Sequence, residues 1–158
     1  MKKNNQEGFS LIELLIVVTI IGIIASIAVP NLLASRRAAN EGSAQSSMRT
    51  ISSCEATYRY TYGNGTYADL TTLGNKTLTD LVLASGNKSG YDFTVNPVAG
   101  ESQFWAYALP SVLVGVGKTG TRRFAVTEDN ILRGDSTLTP PADEAAISGS
   151  PGMPVLGN

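Results

Sequence analysis

The sequence predicts an α+β fold in which a long amino-terminal helical spine, membrane-spanning in its first half, packs against a small antiparallel β-sheet head. Three patterns predict it. Residues 9–29 are almost wholly apolar, residues 44–62 repeat apolar side chains at helical spacing, and residues 91–95 alternate apolar and polar side chains before a second apolar run at 104–109. The length of 158 residues suffices for one domain with a long appendage.

The composition argues against two classes of function. Lys and Arg total 12 and Asp and Glu total 13, so the net charge of -1 does not suggest a polyanion-binding protein. The chain has no histidine, the commonest general base and metal ligand, which disfavours a hydrolytic or zinc-dependent enzyme. We therefore expect no catalytic residue, no metal site and no cofactor. The single cysteine, Cys54, gives no indication of redox compartment.

The first predicted element is a membrane helix over residues 9–30, preceded by a short polar leader at residues 1–8. About 21 apolar residues form a helix of roughly 31 Å, which matches the hydrocarbon thickness of a bilayer. A secretory signal peptide is an alternative, with Ser26-Ile27-Ala28 as its cleavage site, but its apolar core would be shorter. A generic anchor is the other alternative. Flanking positive charges do not settle orientation, because Lys2 and Lys3 balance Arg36 and Arg37.

Glu13 is the only ionisable residue in this apolar segment. A carboxylate at mid-membrane depth costs on the order of 2.5–3.5 kcal/mol on insertion scales, and less near the interface. Glu13 either reaches the headgroups or has a cationic partner. A cut after Gly8 would give Phe9 a new α-ammonium one helical turn from Glu13, and the amine of a neighbouring subunit could then neutralise it.

The segment Gly8-Phe9-Ser10-Leu11-Ile12-Glu13 closely resembles the processing site of type IV prepilins, of the type IVa kind, and of the related type II secretion pseudopilins. The resemblance implies that a prepilin peptidase cuts between Gly8 and Phe9, that Phe9 is N-methylated, and that Glu13 is needed for subunit assembly. It also implies a cytoplasmic leader. Gly22 and Pro30 stand where such pilins carry a glycine and a proline.

Gly22 and Pro30 both weaken a helix, by roughly 1–3 kcal/mol each in its interior. One interpretation is a mild kink in a continuous helix. The other is that this stretch loses helicity when the subunit enters a filament, which would make the polymer extensible. The second half of the spine, residues 31–62, carries an amphipathic stripe and should end near Tyr62, before Gly63-Asn64-Gly65. The stripe consists of Ala44, Met48, Ile51, Tyr58 and Tyr62.

Residues 63–135 are predicted to form the head, with three or four antiparallel strands. Before the strands we expect one short helix, begun by a capping box at residues 77–80 and ended by Gly86. The expected strands are residues 91–95, 104–109, 123–127 and 131–133, with a turn at 128–130. The tail, residues 136–158, is rich in Pro, Gly, Ser and Thr, and we expect it to be irregular, either draped over the head or mobile.

Two local signals in the head were considered as binding sites. Gly115-Val116-Gly117-Lys118-Thr119 resembles a phosphate-binding loop, but it lacks the first glycine of that motif and precedes a strand pattern, so a glycine-rich loop between strands is favoured. A basic cluster near the end of the head is either a solvated face or a patch that contacts DNA or a surface. This cluster consists of Lys118, Arg122, Arg123 and Arg133.

The resemblance implies a structural pilin subunit that polymerises into a type IV pilus, and no enzyme. Before assembly it would be a single-pass inner-membrane protein in contact with lipid. After assembly it would belong to an extracellular homopolymer, whose adhesion, twitching motility or DNA uptake are properties of the filament. Its partners would be prepilin peptidase, the inner-membrane assembly platform and further copies of itself.

Two alternatives stay open. The first is a type II secretion pseudopilin. Major pseudopilins carry a carboxyl-terminal calcium-binding segment like Asp-Pro-Trp-Gly, whereas Trp105 lies in Gln-Phe-Trp-Ala. The second is a minor DNA-binding pilin that uses the basic cluster.

Overall fold

The computed structural model describes residues 9–98, 100 and 102–156. The predicted leader, including Gly8, lies outside the described residues. The chain divides into two compact units, Met1–Ser35 and Arg36–Asn158, which we call the amino-terminal unit and the head unit. The α+β class predicted from the sequence is confirmed: a long helix, α1 (Leu11–Thr61), contributes its second half to a head unit built on one antiparallel sheet.

Helix α1 begins and ends within a residue or two of the predicted limits. The Leu14 amide donates to the carbonyl of Ser10 at 3.2 Å, which closes the first turn. At the other end the amides of Tyr62 and Gly63 both donate to the carbonyl of Tyr58, at 2.9 and 2.8 Å. Gly65 then has a φ of +95°, a left-handed conformation that favours glycine and turns the chain away from the helix axis.

The second half of α1 buries most of the predicted stripe. Ala44, Met48 and Ile51 are fully buried in the main core. Tyr58 is half-buried and packs on a smaller cluster formed by Cys54, Ala68 and Leu73. Tyr62 follows the end of the helix and is exposed, so the prediction that it extends the stripe is wrong. The helix has already ended at Thr61, so no helical face is left to hold this ring against the core.

Two short helices follow where one was predicted. Helices α2 (Leu70–Asn75) and α3 (Leu81–Ala84) each start at an aspartate. The Asp69 carboxylate accepts the Thr72 amide at 2.8 Å, and the Asp80 carboxylate accepts the Leu83 amide at 2.9 Å. The expected capping box is therefore wrong in its details, because Asp80 is itself the cap. The predicted stop at Gly86 is confirmed by its φ of +82° directly after the α3 cap residue Ser85.

The sheet has five strands instead of three or four, in the order β1-β2-β3-β4-β5 with every neighbouring pair antiparallel. The additional strand is the two-residue edge strand β1, whose sequence is too short to show a periodic pattern. The last strand starts two residues later than predicted. The Ile131 amide donates to the Asp129 carboxylate at 2.9 Å, so residue 131 still belongs to the turn. The strands are β1 (Asn87–Lys88), β2 (Tyr91–Pro97), β3 (Phe104–Pro110), β4 (Arg123–Thr127) and β5 (Arg133–Asp135).

One face of the sheet packs on α1, and alternation along the strands places the large apolar side chains there. Tyr91, Phe93 and Val95 of β2 are buried, as are Phe104 of β3 and Phe124 of β4. The positions between them face the other side of the sheet, as expected for the period of two. Every residue of β4 is buried, so this strand is covered on both faces.

The tail provides the second cover. A one-turn helix, α4 (Ala145–Ser148), buries Ile147 against Ala125 of β4, together with Met153. The Gly134 amide then donates to the carbonyl of Pro154 at 3.0 Å, so the chain returns alongside β5. A side chain at residue 134 would lie 2.9 Å from the Arg123 carbonyl oxygen, which explains the glycine. Of the two conformations expected for the tail, the described residues adopt the draped one.

Candidate functional site

The predicted processing and assembly residues lie at the start of the amino-terminal unit. Phe9 is 79% exposed and, with Ser10, precedes the first helical residue, Leu11. Glu13 lies in the first turn of α1, where the helix dipole favours a negative charge. A protease would therefore meet an exposed Phe9 outside the hydrogen-bonded helix. After cleavage, the new amine at Phe9 would lie four residues before Glu13 along the chain.

The amino-terminal unit has its apolar side chains on every side of the helix. All residues from 9 to 32 are exposed. Within α1, an 18-residue window reaches a mean hydropathy of 2.8 with none of it buried, and among the described residues α1 is the one helix long and apolar enough to cross a membrane. A helix that is apolar all round is stable only when lipid or other helices surround it.

Helix α1 continues through Gly22 and Pro30 without a break. Two side-chain hydrogen bonds lie near Pro30: the Ser26 hydroxyl donates to the Ile23 carbonyl at 2.7 Å, and the Asn31 amide group donates to the Ile27 carbonyl at 3.1 Å. The isolated chain therefore matches the interpretation of a continuous helix. Loss of helicity inside a filament stays a prediction.

The predicted basic cluster is not an exposed cationic surface. The Arg123 guanidinium binds both carboxylate oxygens of Asp135 at 2.8 Å, and Arg133 binds Asp129 at 2.5 and 3.1 Å. Both arginines are buried. Because their charges are neutralised inside the fold, neither interpretation of them, solvated face or DNA patch, holds. Lys118 and Arg122 stay partly accessible.

These paired arginines stabilise the end of the fold. The third nitrogen of the Arg123 guanidinium donates to the Thr139 carbonyl at 2.6 Å, so this residue joins β4, β5 and the tail. Burial alone would raise the pKa of Asp135, but hydrogen bonds from Arg123 and Thr137 hold it below its usual value. Arg123 and Asp135 are twelve residues apart and meet only because β4 and β5 pair, so the sequence pattern contained no signal for this ion pair.

Glu41 is a structural residue that the sequence analysis missed. Its carboxylate accepts the Thr121 amide at 2.8 Å, the Thr121 hydroxyl at 2.7 Å and the Arg122 guanidinium at 3.2 Å. Burial alone would raise the pKa of Glu41, but the bonds from Thr121 and Arg122 hold it below its usual value. Glu41 thereby connects α1 to the residues that lead into β4.

Glu55 is the one fully buried carboxyl group among the described residues. One of its oxygens accepts the Ala68 amide at 3.1 Å, and the other has no hydrogen-bond partner within the part of the chain that the structure describes. Burial is the main reason that its pKa rises to about 7, and the nearby Asp69 carboxylate adds to the effect. Glu55 occupies a position where the apolar stripe would place a hydrophobic residue.

Nothing in residues 9–98, 100 and 102–156 groups three His, Cys, Asp or Glu side chains as a metal site would. The phosphate-loop resemblance at residues 115–119 also finds no support. These residues belong to the loop between β3 and β4, and a strand follows them instead of a helix. The expectation of a glycine-rich loop between strands is confirmed.

Comparison with known proteins identifies the amino-terminal segment. Residues 3–29 match the family model of the prokaryotic N-terminal methylation motif. A 37-residue segment, 23% of this chain, is 60% identical to 28% of the type IV wide pilus major component PilA4 of Thermus thermophilus. This segment is thus similar to the amino-terminal segment of a type IV pilus component and carries the methylation motif.

Relatives of the pseudopilin kind are also found. The type II secretion system core protein G of Aeromonas hydrophila is 36% identical over 59 residues, and that of Klebsiella michiganensis is 34% identical over 59 residues. Each match covers 37% of this chain and 41% or 42% of the relative. The chain thus spans less than half the length of the relatives it matches. No solved structure matches it.

Proposed function

We propose that this protein is a structural pilin subunit that polymerises into a type IV pilus at the cell surface. The observation that carries the proposal is the amino-terminal unit. Its apolar side chains are exposed on every side of the helix, and the single carboxylate among residues 9–35, Glu13, lies four residues after Phe9. Such a segment needs lipid around it before assembly and like helices around it afterwards.

In the membrane-bound state, the apolar segment holds the subunit in the inner membrane with its leader in the cytoplasm. Prepilin peptidase removes residues 1–8 and methylates the new amino terminus at Phe9. The exposed Phe9, which precedes the first hydrogen-bonded turn, supports this step because a protease binds extended backbone more readily than helix. The chain is the substrate of this reaction, and we assign it no catalytic role.

In the filament, Glu13 of one subunit pairs with the Phe9 amine of a neighbour inside a core of apolar helices. A charge pair in a low-dielectric core is far stronger than one in water, and removing one partner leaves an uncompensated charge. Because every subunit carries both groups, the same contact repeats along the polymer. A heterologous contact that does not close into a ring produces a helical filament.

The pilus is favoured over the secretion pseudopilus by the identity of 60% to a pilus component, against 34–36% to the two core G proteins. Trp105 gives further support, because it lies in β3 and stacks on Tyr107 beneath the tail, at 5.6 Å between ring centroids. It is not part of a segment like the one expected in a calcium-binding pseudopilin. The pseudopilin stays the second candidate, since the matches to the two core G proteins extend over 59 residues, against 37 for the pilus component.

The structure argues against the hypothesis of a DNA-binding minor pilin. It required a basic surface, whereas Arg122, Arg123 and Arg133 pair with Glu41, Asp135 and Asp129. We therefore do not propose DNA as a partner of the head unit.

Intact mass spectrometry of filaments sheared from cells, with amino-terminal sequencing, tests the proposal. We expect a dominant species that begins at N-methylated Phe9. If processed subunits occur only in the membrane fraction, the pseudopilin takes the place of the pilin. A mature chain that begins near Val29 would mean an ordinary secreted protein and would overturn the proposal.

A further inference from the structure

Among the described residues of the head unit, the loop between β3 and β4 carries the largest group of exposed large hydrophobic side chains. We call residues 112–118 the apolar loop. Val114 and Val116 are 80% and 78% exposed, and Val112 and Leu113 are 44% and 42% exposed. These four make up a large share of the exposed large hydrophobic side chains described in the head unit, where the others are dispersed over several elements. Exposed apolar surface concentrated in this way indicates a contact site.

The base of the loop is fixed by hydrogen bonds, while its tip is exposed. Thr119 closes the base: its amide donates to the Val112 carbonyl at 3.1 Å, and its hydroxyl accepts the Val112 amide at 3.2 Å. At the tip, a side chain added at Gly115 or Gly117 would meet no atom within 4 Å. The fixed base thus keeps Val114 and Val116 at the surface of the head, where they are not packed into the core.

The position of the loop on the head unit indicates what covers it. The Asn40 side chain of α1 donates to the Thr119 carbonyl at 2.9 Å, so the base is attached to the first turns of α1 that belong to the head unit. Asn40 follows Val29, the last residue of the apolar segment, by eleven residues. That tether is about 16 Å long as helix and at most about 40 Å when fully extended. The length of this tether therefore limits how far the base of the loop can lie from the bilayer surface, and the loop can reach that surface.

The chemistry of the loop fits a lipid surface. Its exposed side chains are aliphatic, and it carries a single charge, Lys118, which forms no ion pair with any residue in the described part of the chain. An apolar tip beside a cation matches the boundary between acyl chains and anionic headgroups, where lysine keeps its ammonium group among the phosphates.

We propose that the apolar loop inserts Val114 and Val116 into the outer face of the inner membrane, with Lys118 at the headgroups, while the subunit awaits assembly. The head then contacts the bilayer at a second point besides its helix. Extraction into a filament breaks this contact. The proposal depends on membrane anchorage and does not depend on the pilus being the final assembly.

Fluorescence quenching in vesicles tests the insertion. The full chain, with Cys54→Ser to remove the native thiol, receives one environment-sensitive fluorophore at Val114→Cys. A matched control carries it at Tyr60→Cys, which is 83% exposed at the opposite end of the head-unit part of α1. The vesicles contain phosphatidylethanolamine and phosphatidylglycerol with lipids brominated near the headgroup. We expect bromine to quench the Val114 label at least about threefold more than the Tyr60 label.

Two results would overturn the proposal. The first is equal quenching at the two positions, measured while a label at Ile20→Cys in the same vesicles is strongly quenched. The second is a Val114 label that becomes apolar in sheared filaments but stays aqueous in vesicles, because a second copy of the chain would then be the occupant. In support, Lys118→Gln should reduce the quenching with phosphatidylglycerol and leave it unchanged with phosphatidylcholine alone.

Discussion

The two units of this chain differ in how they cover apolar surface, although one helix runs through both. From residue 9 to residue 32 every side chain of the amino-terminal unit is exposed. In the head unit, the same helix buries Ala44, Met48 and Ile51 fully against the sheet. The first stretch must obtain its cover from lipid or from other subunits, and the second obtains it from its own fold. Substitutions in the two stretches should therefore affect different measurements.

The largest expected effect is on assembly, at Glu13. We expect Glu13→Gln to reduce sheared filament at least about tenfold, because losing one partner of a buried charge pair costs roughly 3–5 kcal/mol. The amount of subunit in the membrane fraction should not fall, since removing a carboxylate favours insertion. Immunoblots of both fractions measure the two effects. Glu13→Asp is the control and should restore part of the filament; a normal yield from Glu13→Gln would contradict the proposed pairing.

The next effect is on the stability of the head unit. Ile51→Ala should lower its free energy of unfolding by about 2–5 kcal/mol, because Ile51 is fully buried and the lost side chain leaves a cavity. Denaturant titration of the full chain in detergent micelles, followed by the fluorescence of Trp105, measures this. Ile20→Ala, at a residue 51% exposed in the amino-terminal unit, is the matched control and should leave the transition unchanged. Equal losses would mean that the two units are not independent.

The buried Glu55 makes the stability of the head unit depend on pH. Its pKa of about 7 in the fold lies above the usual value of an unfolded glutamate, so the folded state holds the proton more tightly. This contribution to stability is complete at pH values below the unfolded pKa. It decreases as the pH rises through the window between the two pKa values, and is lost above about pH 7.

Glu55→Gln should remove this decrease and raise the free energy of unfolding at pH 8 by about 1–3 kcal/mol relative to the wild type. Denaturant titrations from pH 4 to pH 9 measure it. Asp143→Asn, at an exposed carboxylate, controls for the loss of one negative charge and should leave the pH profile as it is. A wild-type profile with no decrease between pH 5 and pH 7 would contradict the assignment.

The smallest effect concerns helix propensity in the amino-terminal unit. A side chain at Gly22 or at Gly42 would meet no atom within 4 Å, so alanine fits at both positions and should stabilise helix by about 0.5–1 kcal/mol. If the Gly22–Pro30 stretch melts in the filament, Gly22→Ala should make single filaments less extensible under force in an optical trap. Gly42→Ala should raise the stability of the head unit and leave extension unchanged. Identical extension of both variants would argue against melting at Gly22.

The comparison of sequence and structure shows which patterns carry information on their own. The limits of α1 were predictable because glycine and backbone geometry act locally, as the turn at Gly65 shows. Strand β2 was predictable because apolar and polar side chains alternate along it, and β3 and β4 because each is a run of five residues or more next to a turn signal. Strand β1 was not, because two residues carry no period.

The basic cluster shows why the sequence could not predict which charged side chains form ion pairs. Four cations close together in sequence resemble an exposed patch, but Arg122 finds Glu41 on α1, 81 residues away, and Arg123 finds Asp135 on the neighbouring strand. Whether a charge is solvated or paired depends on what the fold brings within about 4 Å of it.

The sequence by itself determined the apolar segment at residues 9–29: its length, its uniform apolarity, Glu13 and the processing motif at Phe9. These properties are local, because a bilayer acts on each residue of a helix according to its own hydropathy. Only the tertiary structure decided that the arginines are paired, that Glu55 is buried, that the tail covers the second face of the sheet, and that the apolar loop is held beside Asn40. Apart from the Arg133–Asp129 pair, which spans four residues, each of these depends on contacts between residues far apart in the chain, and such contacts exist only once the chain has folded.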